Sequence, residues 1–171
     1  MCKRLGDAGV ATVFDLLDLE DDKRRELLAL PEQQLEEVAA VCARYPDINL
    51  SYEVVGGSTD VLGGESVALA VSLERELEAG AELQPVTAAR FPGRRDEAWW
   101  LVVGDTRANT LLAIKRVVLQ RNAKVKLEFS APTTPGRHAL TLYFMCDSYL
   151  GCDQEYELEV NVQEGGDQME E

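Results

Sequence analysis

Glu155-Tyr156-Glu157-Leu158-Glu159-Val160-Asn161-Val162 reads as one strand of a half-buried sheet. Successive side chains in a strand point to opposite faces, so Tyr156, Leu158, Val160 and Val162 share one side and the three glutamates share the other. The same alternation returns toward the N-terminus. Leu140, Leu142 and Phe144 alternate with Thr141 and Tyr143, and Val125, Leu127 and Phe129 with Lys124, Lys126 and Glu128. Val67, Leu69, Val71 and Leu73 alternate with serines and alanines, and Leu50, Tyr52 and Val54 with Ser51 and Glu53. Two apolar runs add to these: Ala98 to Val103, ended by Gly104-Asp105, and Leu111 to Leu119, which carries Lys115 and Arg116. Gly56, Gly57, Gly63 and Gly64 bracket a turn-rich stretch. Seven strand candidates with no helix between them predict an all-β sandwich or barrel over residues 48–163.

Upstream, the period is that of a helix. Val10, Val13, Phe14 and Leu17 are spaced to form one apolar face, and Leu35, Val38, Ala39 and Cys42 another. Pro31 suits a helix start, where its missing N–H has no partner to lose. Tyr45-Pro46 stops the second run, because a residue before proline avoids the helical region. The expected fold class is therefore α+β in separate parts: a small helical domain at 1–46, a sandwich of about seven strands at 48–163, and an acidic tail at 164–171.

Charge and chemistry narrow the function. The 171 residues carry 31 acidic and 17 basic side chains, a net charge of −14, which is the wrong sign for a chain that binds nucleic acid or anionic membrane as a whole. No window has the length of apolar sequence that spans a bilayer, and Met1 to Gly9 lacks the apolar core of a secretory signal, so no membrane partner is expected. Cys2, Cys42, Cys146 and Cys152 form no C-x-x-C pair, and His138 is the one histidine, so neither a zinc site nor a disulfide framework is expected. Catalysis needs a nucleophile, an acid or base, or a metal gathered in a pocket. The chain has no phosphate-binding glycine loop, dinucleotide fingerprint or G-x-S-x-G, and Gly104-Asp105-Thr106 lacks the glycines and lysine of a P-loop. The expectation is a non-enzyme without cofactor or small-molecule ligand.

The surface offers three features. Residues 90–126 hold nine basic and three acidic side chains, +6 within a chain of −14, which leaves −20 for the rest. Arg94, Arg95, Lys115, Arg116, Lys124 and Lys126 could form a patch for an acidic protein or an RNA backbone, or pair across strands with acidic neighbours of the same sandwich. Trp99 and Trp100 are adjacent, so a strand sends one into the core and the other outward, where tryptophan is a common binding anchor; the alternation does not say which. Glu155, Glu157 and Glu159 line one face of their strand, as a solvated face or as part of a docking surface. In the helical part, Leu5 and Ala8-Gly9-Val10 followed by an amphipathic helix are similar to half of a helix-hairpin-helix, whose loop amides hold phosphates. The second half would turn at Leu30-Pro31, where proline removes a donor.

A longer pattern is more specific than any of these. Thr12-Val13-Phe14-Asp15-Leu16-Leu17, Cys42-Ala43-Arg44-Tyr45-Pro46, Leu50-Ser51-Tyr52-Glu53-Val54, Trp99-Trp100-Leu101-Val102-Val103-Gly104-Asp105, Leu112-Ala113-Ile114-Lys115-Arg116, Lys124-Val125-Lys126-Leu127 and Leu142-Tyr143-Phe144-Met145 together resemble a Sec-sixty-three-type unit. With Asp147-Ser148-Tyr149-Leu150-Gly151-Cys152-Asp153-Gln154-Glu155-Tyr156, nearly the whole chain resembles the carboxyl-terminal unit of the large spliceosomal RNA helicases, those of the U-five small nuclear ribonucleoprotein, in their second cassette. The resemblance implies a helix-loop-helix domain and an immunoglobulin-like domain of the fibronectin type III kind. It also implies a nuclear, catalytically silent platform that docks splicing factors, with other spliceosomal proteins and the helicase motor domains as partners. Motor domains, winged helix and first helical bundle have no counterpart, so Met1 is expected to open a truncated piece, and no ATP-binding residue carries over. The alternative is an accessory nucleic-acid-binding module that makes weak RNA contacts through the helical hairpin and the basic 90–126 stretch.

Overall fold

A computed structural model describes residues 2–77, 82–86, 88 and 90–164. Within it the chain divides into two units, one made of Met1–Pro46 with Tyr149–Cys152, the other of Asp47–Ser148 with Asp153–Glu171. Of the expected acidic tail, residues 165–171 lie outside the described residues.

The helical unit has helices α1 (Cys2–Asp7), α2 (Val13–Leu17), α3 (Asp21–Leu28) and α4 (Glu32–Cys42). Its core is Val10, Leu16, Leu28 and Cys42, with Leu5, Val13, Leu19, Leu30, Leu35 and Val38 packed around them. Thr12 caps α2: its hydroxyl accepts from the Asp15 N–H at 3.2 Å, and the Asp15 carboxylate accepts from the Thr12 N–H at 2.8 Å. That cap corrects the expected apolar face. Val10 lies before the cap, outside the helix, so the period does not run through it, and α2 buries Leu16 while Leu17 stays exposed. Arg24 of α3 reaches back to the carbonyls of Leu16, Leu17 and Leu19, satisfying acceptors that the end of a short helix leaves open. The ring of Tyr45 meets Phe14 edge-on at 6.2 Å and Tyr149 at 4.9 Å.

The second unit is built from strands β1 (Ile48–Val54), β2 (Asp60–Leu62), β3 (Ser66–Arg75), β4 (Trp99–Asp105), β5 (Thr110–Val117), β6 (Asn122–Ser130), β7 (Gly136–Cys146) and β8 (Gln154–Gln163). They form a three-stranded sheet in the order β1-β3-β6 and a five-stranded sheet in the order β2-β8-β7-β4-β5. Where about seven strands were expected, the described residues contain eight. The extra one, β2, is too short to show alternation in sequence; it pairs parallel to β8, and Asp60 accepts from Asn161 at 2.6 Å.

Each sheet buries one face. Val67, Leu69, Val71, Leu73, Leu127 and Phe129 come from the three-stranded sheet, and Leu101, Val103, Leu140, Leu142, Phe144, Leu158, Val160 and Val162 from the five-stranded one. Side-chain bonds cross between sheets. Tyr52 donates to the Glu157 carbonyl at 2.5 Å, its ring meets Tyr156 at 6.0 Å, and Gln154 donates to the Ile48 carbonyl at 2.8 Å. The β8 register matches the alternation: Leu158, Val160 and Val162 are buried, and Glu155, Glu157 and Glu159 are exposed.

Candidate interaction face

The two tryptophans separate as adjacent strand residues must. Trp99 has no accessible surface; it stacks on Phe144 with centroids 4.4 Å apart, and its indole N–H donates to Glu97. It is a core residue, which removes it from the candidate contact residues: the inward phase of β4 leaves nothing of it for a partner to touch. Trp100 points the other way, half-buried, with the Arg116 guanidinium 5.8 Å above its ring.

The basic stretch does not make one patch. Arg116 is directly opposite Trp100 on β5. Arg95 is half-buried, lies 5.4 Å from the Phe91 ring and pairs with Asp147 at 3.4 Å; Arg116 approaches the same carboxylate at 3.9 Å. Asp147 also accepts from the Ala98 N–H at 3.1 Å, which fixes it at the end of the sheet. Arg94 pairs with Asp96 in its own segment. Lys124 and Lys126 project from the three-stranded sheet, where their neighbours on β3 are Ser72 and Ala70 rather than acidic residues. Lys126 pairs instead with Glu128 at 2.6 Å, a hydrogen bond that holds the Glu128 carboxyl below its ordinary range. Lys115 donates to the Lys126 carbonyl at 3.0 Å.

Five of the candidate residues do share a surface, the outward face of the five-stranded sheet. Its register sets Arg116, Trp100 and Met145 side by side, then Ile114, Val102, Tyr143 and Glu155, then Leu111, Gly104, Thr141 and Glu157, then Ala139 and Glu159. The face is therefore graded across the strands: exposed Ile114 and Leu111 on β5, aromatic rings on β4 and β7, and a carboxylate ladder on β8. Val102 points outward too, yet its neighbours leave it 8% exposed. Glu159 pairs with Arg137 at 2.9 Å, whereas the carboxylates of Glu155 and Glu157 have no ion-pair partner among the described residues. Ile114, Tyr143 and Asp147 were not among the sequence candidates. The signal for Ile114 and Tyr143 was their phase, opposite to the buried residues of their strands.

The helical unit offers less chemistry. At the start of α2 the Ala11 and Thr12 N–H groups, which could hold a phosphate, are taken by the Asp15 carboxylate at 3.0 and 2.8 Å. Those bonds hold the Asp15 carboxyl below its ordinary value, with the Thr12 amide the larger cause. An open cleft of 330 Å³ is lined by Leu16, Leu28, Leu35, Val38 and Cys42; on its rim Arg24 pairs with Asp21 and Arg25 with Glu32, and Glu36 adds a further carboxylate. Burial pushes the Cys42 thiol up. Among the described residues no three His, Cys, Asp or Glu side chains converge as a metal site, and no helix is long and apolar enough to cross a membrane.

Comparison with known proteins gives a consistent result. The profile of one family, described as the Sec63 Brl domain, matches residues 2–159. The DExH-box ATP-dependent RNA helicase DExH12 of Arabidopsis thaliana is 53% identical over 172 residues, which is 99% of this chain and 8% of that protein. The U5 small nuclear ribonucleoprotein 200 kDa helicase of Homo sapiens is 52% identical over 162 residues, 95% of this chain and 7% of that one. An activating signal cointegrator 1 complex subunit 3-like protein of Dictyostelium discoideum is 39% identical over 92% of this chain and 8% of its own length. The chain thus spans less than a tenth of the curated relatives it matches.

Proposed function

This chain belongs to the Sec63 Brl domain family, and from that premise we propose that it is a non-catalytic, carboxyl-terminal interaction and regulatory module of a spliceosomal RNA helicase. In this reading it works in the nucleus. The helical part at 1–46, completed by Tyr149–Cys152, is a helix-loop-helix domain, and the two-sheet unit is an immunoglobulin-like domain of the fibronectin type III kind. Its partners are other spliceosomal proteins and the motor domains of the helicase, on which it acts by contact rather than by chemistry. The observation that carries the docking role is the outward face of the five-stranded sheet, where half-buried Trp100 and Tyr143 and exposed Ile114 stand in adjoining rows. Rings and an arginine held in place by packing are the usual anchors of protein interfaces. The carboxylate ladder beside them disfavours a nucleic-acid backbone on this face.

The test is capture from nuclear extract by the immobilised full chain, after nuclease treatment. Spliceosomal proteins should be retained by the wild type, and Trp100→Ala should release them without unfolding the chain. The nucleic-acid module would instead show nuclease-sensitive retention that falls steeply as salt rises, because backbone contacts release counterions. That outcome would replace the docking reading.

A further inference from the structure

The docking reading leaves open what kind of surface the partner presents, and the graded face constrains it. Along β7 and β4 the outward residues below the rings are small: Thr141, Ala139 and Gly104. In the register Leu111 lies on one flank of them and Glu155, Glu157 and Glu159 on the other, with the Tyr143 ring beside Gly104. Apolar surface on a sheet is covered by another sheet or by a helix, and small outward residues let a helix lie close along the strands. The ladder gives the second constraint. Alternate strand residues are about 6.7 Å apart, so the three carboxylates span about 13 Å. Side chains one helical turn apart, at i, i+4 and i+8, span about 12 Å. A helix can therefore set one basic side chain against each rung.

Resting on that reading, we propose that the outward face of the five-stranded sheet seats an amphipathic helix of a partner protein, its apolar stripe on Tyr143, Trp100 and Ile114 and its lysines or arginines along Glu155, Glu157 and Glu159. Charge complementarity selects this occupant. Glu155 and Glu157 are exposed and have no ion pair among the described residues, so an incoming cation displaces no internal partner. A phosphate backbone would meet three carboxylates. A second copy would bring together two chains of −14 each, which repel.

The probe is a stapled helical peptide of about 15 residues, with three lysines spaced four apart beside a leucine stripe. It should bind the full chain and change the fluorescence of Trp100. Glu155→Lys with Glu157→Lys should weaken it about tenfold, as two exposed charge pairs allow. A peptide with glutamates in place of the lysines should ignore the wild type and bind the double variant. Glu53→Lys, exposed on the other sheet, should change nothing. Equal binding of both peptides to the wild type, or full binding of the lysine peptide to the double variant, overturns the proposal. So does a wild-type dimer in sedimentation that the lysine peptide does not dissociate. The two readings fail separately. A double variant that ignores the lysine peptide but still captures spliceosomal proteins as the wild type does leaves docking standing and removes the basic helix. Charge-swapped peptide binding by a chain that captures no spliceosomal protein sustains the chemistry of the face and removes docking in splicing.

Discussion

Arg75 and Glu97 form a buried ion pair at the edge of the β core, with side chains 2% and 14% exposed. Each member has a second partner: the Arg75 Nε donates to the Gln120 carbonyl at 3.0 Å, and the Glu97 carboxylate also accepts from the Trp99 indole. Removing one partner leaves a buried charge with nothing to offset it. Glu97→Ala should therefore destabilise the β unit by about 3–5 kcal/mol. Replacing both residues with apolar side chains of similar volume should cost much less. Urea unfolding of the two variants checks this, and equal costs would mean that packing, not charge, is what Glu97 supplies.

The register of β8 gives a paired prediction. Leu158 is 3% exposed and Glu157 lies on the opposite face. Leu158→Ala should leave a cavity and cost about 2–5 kcal/mol, whereas Glu157→Gln should stay within about 0.5 kcal/mol. Equal destabilisation in parallel denaturation curves would contradict the register.

The strands differ in how much of them was legible in the sequence. The alternation on β3, β6, β7 and β8 fixes which residues are inside, because one-sided burial imposes a period of two. β4 is different. Its run from Ala98 to Val103 is apolar on both faces, so the phase of Trp99 and Trp100 became visible only through the stacking of Trp99 on Phe144. The grouping of Ile114, Tyr143 and Glu155 was beyond reach for another reason. It depends on the strand order β2-β8-β7-β4-β5, which is not the order along the chain. Local periodicity says which way a residue faces, not which strand lies beside it.

Acid should loosen the start of α2. The Asp15 carboxyl is held below its ordinary 3.8 by the Thr12 and Ala11 amides. A carboxyl with a lowered folded pKa contributes stability that is complete above its unfolded value, about 3.9, and is lost as pH falls through the folded value. The Asp15 carbon resonance should therefore titrate with a midpoint below 3.8, and protection of the Ala11 and Thr12 amides should fall with it. A midpoint at or above the ordinary value would show that the cap is not formed in solution.

Gly151 should tolerate no side chain. Its φ is +83°, and a Cβ there would lie 2.8 Å from Cγ2 of Thr12, the capping residue of α2. Gly151→Ala therefore combines left-handed backbone strain with a clash, and should cost about 2–3 kcal/mol. Comparison with Gly57→Ala, also at positive φ but with open space around it, isolates the clash. If the two variants melt alike, the contact with Thr12 is absent.

The four residues Tyr149–Cys152 belong to the helical unit although about a hundred residues separate them from Pro46. The unit is thus discontinuous along the gene. A segment that stops at Pro46 carries the four helices of the described residues yet omits the ring that meets Tyr45 and the glycine that lies against Thr12. Shuffling or splicing out residues 1–46 as a cassette would move an incomplete unit, so the boundary visible in the linear sequence is not one at which recombination can cut cleanly.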